Sequence, residues 1–292
     1  MTGLWVFLFD ELVHDVEPMD VAADRSRLER DDRQRALGGG KAQELAIGDQ
    51  ILLTVVWLRC YPKQQVLGYL FGVSQATVSR TIQFVLPLLD ASGRDTMRMP
   101  DPGRKRRRAL DELLADTPEL AIVIDTFEQR VQRPAGDRKR ADAYYSGKKK
   151  QHTLKSQLAV DEELGMFVAI AESVPGPQSD LKMLEDSGLL DDLPNGIGVM
   201  GDLAYVGIHK LHPDGFCPLR KPRGHPRTPA AIAFNTALSR RRIIVEHSIG
   251  RLRRFESLAH MDRQHRHHHT ARVVAVADLV NRRLRLRFPH AA

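Results

Sequence analysis

Leu120-Ala121-Ile122-Val123-Ile124-Asp125 is the stretch on which the fold turns. An unbroken apolar run, β-branched at Ile122, Val123 and Ile124, leads straight into a carboxylate after Pro118 introduces it. A short run of that composition reads as a buried strand, here ending at Asp125. A second one, Ile197–Gly201, ends at Asp202. Two further strands are expected at His152–Val160 and Met166–Glu172, with Asp161, Glu162, Glu163 and Gly165 forming a hairpin turn between them. A shorter strand is expected around Phe216–Leu219. Helical patterns fall between and after these runs: a short helix from Ser179, one at Tyr205–Leu211, a long one at Pro229–Phe255 and an amphipathic one at Thr270–Leu286. Strands interleaved with helices predict an α/β domain.

A third carboxylate joins the two at the strand ends. On the long helix Leu238, Val245, Ile249 and Leu252 share one stripe at about 100° per residue, and Glu246 stands on its shoulder near Arg242 and Arg253. A carboxylate there can face a central sheet. Asp125, Asp202 and Glu246 converging would suit a hard divalent cation, Mg²⁺ or Mn²⁺, which takes oxygen ligands and keeps several waters. Asp180, after the loop Pro175-Gly176-Pro177, is a possible fourth carboxylate, and a helix-capping role fits it equally. Taken singly, a strand-end Asp is more often a turn residue.

Upstream, residues 49–61 form an apolar helix through Ile51, Leu52, Val55, Val56 and Leu58. The next helix runs from Pro62 to about Phe71, with Val66, Leu67 and Leu70 expected inward. Gly72 suits a left-handed helix end and Ser74 an N-cap. The following helix carries Val78, Ile82, Val85 and Leu89 on one stripe. Together, 62–89 read as a helix-turn-helix, whose second helix enters the DNA major groove. Gln75, Arg80 and Gln83 are the residue types that read base edges there, and Thr77 or Ser79 those that meet phosphate. The plainer alternative is a helical hairpin with a solvated polar face.

The composition agrees with a polyanion partner. Among 292 residues, Lys and Arg number 44 against 37 Asp and Glu, a net charge of +7. An apolar fraction of 42% excludes a disordered chain. Cys60 and Cys217 are too few for a disulfide framework or a Cys-x-x-Cys metal pair. Nothing approaches the roughly 18 apolar residues of a membrane span. Leu4–Phe9, followed by Asp10 and Glu11, does not read as a secretory signal. The expectation is a cytoplasmic, nucleoid-associated protein. Arg104–Arg108, Lys148–Lys150 and Arg240–Arg242 are basic runs that suit phosphate contact or a merely solvated face. His265, His267, His268 and His269 read as a polar loop before the last helix rather than a metal site. Gly196-x-Gly198-x-x-Gly201 matches a dinucleotide fingerprint in letters only, because its glycines precede and occupy a strand. No Walker A loop is present.

Several stretches resemble DDE-superfamily transposases of the insertion-sequence and Harbinger-like endonuclease branch. They are Tyr144-Tyr145-Ser146-Gly147-Lys148-Lys149-Lys150-Gln151-His152-Thr153-Leu154-Lys155, then Pro175-Gly176-Pro177-Gln178-Ser179-Asp180, then Gly201-Asp202-Leu203-Ala204-Tyr205. The closest is Phe234-Asn235 followed by Ser239-Arg240-Arg241-Arg242-Ile243-Ile244-Val245-Glu246-His247-Ser248-Ile249-Gly250-Arg251-Leu252-Arg253-Arg254-Phe255, and Leu279-Val280-Asn281 also fits. The likeness covers roughly residues 50–286. It implies an RNase H-like mixed sheet flanked by helices, with an N-terminal all-α helix-turn-helix domain. By motif position the catalytic and metal-binding triad falls on Asp125, Asp202 and Glu246. Asp125-Thr126-Phe127-Glu128 departs from the family's usual Asp-Gly-Thr.

The expected division is 1–48, an N-terminal segment without a reading and with a linker-like Gly38-Gly39-Gly40; 49–92, the helix-turn-helix domain; 93–118, a basic connector with a helix near Ala109–Ala115; and 119–286, the catalytic domain. Gln75, Thr77, Arg80, Gln83, Lys148, Lys149 and Arg242 are the expected DNA contacts. The expected function is Mg²⁺-dependent cleavage and strand transfer on double-stranded DNA, at transposon inverted repeats and target sites, by a homo-oligomer. A decayed transposase that only binds DNA is the alternative. An RNase H-like nuclease on RNA fits less well, since A-form major grooves do not admit side chains.

Overall fold

The axis of the molecule is the strand that begins at Leu120. The computed structural model describes residues 1–28, 44–100 and 120–288. The Gly38–Gly40 stretch, the run Arg104–Arg108, the expected helix at Ala109–Ala115 and so most of the 93–118 connector lie outside them. β1 is Leu120–Arg130, longer than the apolar run suggests. It continues past Asp125 because β3 (Gln151–Asp161) pairs with it antiparallel from Ile122↔Asp161 to Arg130↔Thr153. Backbone pairing therefore carries the strand through polar side chains. β4 (Phe167–Ile170) pairs antiparallel on the far side of β3, and the two-residue strands β2 (Tyr145–Ser146) and β5 (Val174–Pro175) also join β3.

On the other side of β1 the direction changes. β6 (Ile197–Met200) runs parallel to β1 from Leu120↔Ile197 to Val123↔Met200, and β7 (Gly215–Phe216) runs parallel to β6. The central order β4-β3-β1-β6-β7, an antiparallel meander followed by parallel strands, is RNase H-like. The β1–β6 pairing stops two residues before Asp125, so one edge of β1 is open there. Crevices of this kind, beyond the carboxyl ends of parallel strands, are where α/β sheets bind their ligands.

Strand alternation sorts β1 into two cores. Ala121, Val123 and Phe127 pack with Leu238, Val245 and Leu252 of α7 (Pro229–Leu252) and with α9 (His269–Arg287). Ile122 and Ile124 pack on the opposite face with Ile197, Val199, Tyr205, Ile208 and Leu184 of α6 (Asp180–Asp186). The expected helix at 205–211 is instead two 3-10 turns, Leu203–Tyr205 and Ile208–Lys210, divided by Gly207 at φ 106°. The strands expected to end at Glu172 and Leu219 are shorter than read, ending at Ile170 and Phe216. The turn after β3 forms as expected, with the Asp161 carboxylate accepting from the amides of Glu163, Leu164 and Met166. Short helices α5 (Arg138–Asp142) and α8 (Glu256–Ala259) complete this part.

The N-terminal helices are α1 (Val6–Leu28), α2 (Ile47–Cys60), α3 (Gln64–Phe71) and α4 (Gln75–Thr96). α1 lies within the 1–48 stretch for which the sequence offered no reading. Its Leu8, Leu12 and Val16, four residues apart, are buried, and its Glu11 and Asp15 meet Arg282 of α9. α9 serves both halves: Asn281 bonds both backbone groups of Phe167 in β4, while Asp278 accepts from Thr96 at the end of α4. Among the described residues no helix is long and apolar enough to cross a membrane.

Candidate functional site

Asp125 lies between Val123 and Phe127 on the α7 side of β1, in the gap left where β6 ends. Its Oδ1 accepts from the Thr126 amide at 2.7 Å, and its Oδ2 lies 3.5 Å from the Arg242 guanidinium. Burial pushes its pKa up to about 6. The negative charges of Asp202 and Asp180 push the same way, against the Thr126 amide and Arg242. A carboxyl held high by burial and neighbouring carboxylates is a usual mark of a functional cleft.

Asp202 follows β6 across Gly201 and is half-buried. It caps the 3-10 turn that follows, accepting from the Ala204 amide at 2.8 Å. That turn seats Tyr205 beneath the cluster. The phenol is buried, accepts from Gln157 Nε2 at 2.9 Å and is pushed up mainly by burial, with Asp180, Asp125 and Asp202 adding to the effect. Asp180 is the first residue of α6, while Ser179 is its cap and accepts from the Lys182 amide. The capping alternative for Asp180 is thus corrected. Its carboxylate pairs with Lys155 Nζ at 2.7 Å, both side chains largely buried, and Lys155 also donates to the Gln178 carbonyl at 2.6 Å.

Glu246 is not drawn in. It is exposed on α7, and no hydrogen bond or ion pair joins it to the aspartates among the described residues. The expectation that it faces the sheet is corrected by helix geometry. Measured from Val245 at about 100° per residue, Arg242 sits about 60° round the helix and Glu246 about 100°. The residue that turns inward is therefore Arg242, one turn earlier. Among the described residues no group of three His, Cys, Asp or Glu is placed to hold a metal ion. Asp125 and Asp202 have the oxygen chemistry for a hard cation; the third donor is turned out.

Thr126-Phe127-Glu128, the departure from Asp-Gly-Thr, does not disturb the site. The strand stays regular, Phe127 is buried in the α7 core, and Glu128 faces the opposite side of β1, accepting from Thr153 Oγ1 at 2.6 Å. Of the run Arg240–Arg242, Arg241 pairs with Glu162 at 2.6 Å and Arg242 with Asp125, leaving Arg240 exposed. Lys148 and Lys149 are exposed in the turn between β2 and β3.

The helix-turn-helix face is formed by α3 and α4. Gly72 ends α3 at φ 67° and the Ser74 hydroxyl caps α4 by accepting from the Thr77 amide. Val78, Ile82, Val85 and Leu89 are buried, and Gln75, Arg80 and Gln83 are exposed. Thr77 is half-buried, its hydroxyl 2.9 Å from Ser74 Oγ and 3.3 Å from Glu44. Val66 and Leu70, expected inward, are exposed. The inner seam of α3 is Leu67 and Gly68, because a Cβ on Gly68 would come within 2.7 Å of the Val73 carbonyl oxygen.

The sequence reading quoted Lys155 and Tyr205 in the resemblance but gave no role to them or to Gln157, whose placement depends on register across β1 and β3. It also placed His269 in a polar loop. His265 and His267 are exposed as expected, but His269 opens α9 fully buried, between Gln129 Oε1 at 2.9 Å and Ser173 Oγ at 2.8 Å. Burial pushes its imidazole down to about 3, so it is neutral.

Two protein families match the chain. Residues 124–281 match DDE superfamily endonuclease, and residues 43–95 match helix-turn-helix of DDE superfamily endonuclease. A probable transposase for insertion sequence element IS702 from Microchaete diplosiphon is 27% identical over 256 residues, covering 88% of this chain and 87% of that protein. No solved structure matches the chain.

Proposed function

The chain belongs to the DDE superfamily of endonucleases, and from that premise we propose that it is a DNA transposase, binding transposon ends and cutting and joining DNA strands with a divalent cation. The observation that carries the proposal is Asp125. It is a buried carboxyl titrating near 6, pressed by the charges of Asp202 and Asp180, at the open edge of a parallel strand. Asp125 and Asp202 would hold Mg²⁺ or Mn²⁺, and Glu246, turned outward from them on α7, would have to swing in to be the third ligand. Such a cation, when bound, would activate a water or a DNA 3′-hydroxyl as nucleophile and stabilise the leaving oxygen.

The remaining work falls to protein groups. The Thr126 amide fixes the Asp125 carboxylate, and Ala204 fixes that of Asp202, so neither must be ordered when substrate arrives. Lys155 neutralises Asp180 and limits the negative charge facing a phosphodiester. Gln75, Arg80 and Gln83 read base edges in the major groove, with Thr77 at phosphate; Lys148 and Lys149 track backbone beside the catalytic domain. The active form is a homo-oligomer on paired ends and target DNA, in the nucleoid.

The test is a nicking assay on duplex containing the element's ends, with and without Mg²⁺ or Mn²⁺. Cleavage is expected only with the cation and is lost in Asp125→Ala, Asp202→Ala and Glu246→Ala. Cleavage that survives Asp125→Ala or Glu246→Ala rejects the triad. The outward Glu246 favours one rival, a transposase reduced to DNA binding. That rival predicts tight binding of ends with no cleavage under either cation.

A further inference from the structure

We propose that a cavity at the end of β1 remote from β6 is a second DNA-backbone site, one that grips phosphates outside the carboxylate cleft. The cavity has a volume of about 700 Å³, within the range of about 300–1,000 Å³ usual for ligand pockets. Its walls come from the end of β1, α5 with the following Tyr144, the β5 region, and the segment between α8 and α9. Arg140, Arg263 and Arg266 line it with His265, His267 and Tyr144.

The charge balance there is one-sided. The acid in the lining, Asp262, is buried and fully engaged with Arg272, which donates to both of its oxygens. Among the described residues Arg140, Arg263 and Arg266 have no carboxylate partner. Two of them are nonetheless held in place. Arg263 lies 3.9 Å over the Tyr61 ring and donates to the Tyr61 carbonyl, and Arg266 lies 4.8 Å over the Tyr144 ring. Arginines that are stacked and ordered yet uncompensated are suited to phosphate, which a planar guanidinium meets with paired donors. His268 nearby is pulled below the usual imidazole range, by burial first and then by His267, Arg272 and His265.

Distance supports a nucleic-acid strand over a small anion. The cavity lies at Val131, one residue past the end of β1, and Asp125 is six residues back along the chain, about 20 Å at about 3.3 Å per extended residue. Phosphates of one DNA strand advance about 3.4 Å each along the helix axis, so about six nucleotides span the two sites. Only the identity of the polyanion rests on the transposase reading; the surplus of positive charge does not.

The experiment is fluorescence anisotropy with a labelled duplex of unrelated sequence, in EDTA, across a range of salt concentrations. For the full chain, Arg140→Glu/Arg266→Glu is expected to weaken binding at least tenfold and reduce the log–log salt slope by about 2, at about 0.9 per phosphate contact. Arg140→Gln alone, at an exposed position, is expected to reduce it by about 1. Lys210→Glu, an exposed charge reversal elsewhere, is expected to change neither. An unchanged slope in both cavity variants overturns the proposal. So does saturable binding of inorganic phosphate that the variants abolish while DNA binding stays intact, since that marks a small-anion site. No cleavage is required for the readout. A chain that cuts DNA with an unaltered slope refutes only this inference, and an inert chain with the slope change refutes only the catalytic reading.

Discussion

Replacing Asp125 with Asn tests the physics of the cleft directly. The Asp125 carboxyl titrates at about 6 instead of 3.8, and burial is the leading cause. A shift of about 2 units corresponds to roughly 3 kcal/mol between protonation states, at about 1.36 kcal/mol per unit. Between those two pH values the folded chain keeps a proton that the unfolded chain has released. Stability is therefore complete below 3.8, falls as pH rises through the window, and stays reduced above 6. Asn has the same shape, keeps an oxygen for the Thr126 amide and carries no charge. It also strips Arg242 of its partner at 3.5 Å, with that side chain only 12% exposed, and this offsets part of the gain. The balance is a net stabilisation of about 1–2 kcal/mol at pH 8, which for a chain of this length is a Tm rise of about 2–4 °C. At pH 4 the wild-type group is already protonated and the difference shrinks to a few tenths of a kcal/mol. Thermal melts in EDTA at pH 4, 6 and 8 measure this, and the same protein is expected to be inactive in the nicking assay. A variant that melts below wild type at pH 8, or whose advantage persists undiminished at pH 4, refutes the reasoning.

Two other substitutions probe the scaffold. In Gly68→Ala the new methyl meets the Val73 carbonyl oxygen at 2.7 Å, so the turn between α3 and α4 must shift. A cost of about 1–3 kcal/mol is expected, together with weaker end binding in a gel-shift assay. Arg282→Met leaves Asp278, whose side chain is 2% exposed, without its buried cation, at about 3–5 kcal/mol. Urea unfolding is expected to show that loss, and the double variant Arg282→Met/Asp278→Leu to recover more than half of it.

The parts of the fold that were legible share one property: periodicity over a single element. The stripe Val78, Ile82, Val85, Leu89 and the caps Gly72 and Ser74 are local signals, and the helix-turn-helix follows from them. The strand at 120–125 was visible as an apolar run. Its continuation to Arg130 was not, because the partner that sustains it, β3, is set by register. α1 was legible in principle: Leu8, Leu12 and Val16 recur at a helical spacing, but Pro18 and the surrounding charges masked it. Val66 and Leu70 were misplaced because apolar character alone does not say that a glycine, Gly68, forms the contact seam. In the candidate site, Asp125 and Asp202 come near one another because each follows the parallel-paired stretch of β1 and β6, and both apolar runs are marked in the sequence. Lys155, Gln157 and Tyr205 belong to the other sheet face and carry no local pattern. Arg242 was named as a DNA contact, and its pairing with Asp125 depends on the rotation of α7.

The orientation of α7 agrees with the charges facing it. Asp202 and Asp180 both act on Asp125 through their negative charge, and a further negative charge on α7 would be repelled. Positive charge is favoured there, and Lys155 answers Asp180 while Arg242 answers Asp125. Arg242 and Glu246 are one turn apart and about 40° round the helix from each other, both on the shoulder of the Val245 stripe. Cation binding between Asp125 and Asp202 would invert the preference, because local positive charge then repels the guanidinium and attracts the carboxylate. The Arg242–Asp125 pair is 3.5 Å long and the Lys155–Asp180 pair 2.7 Å, so the guanidinium holds Asp125 less closely than the ammonium holds Asp180.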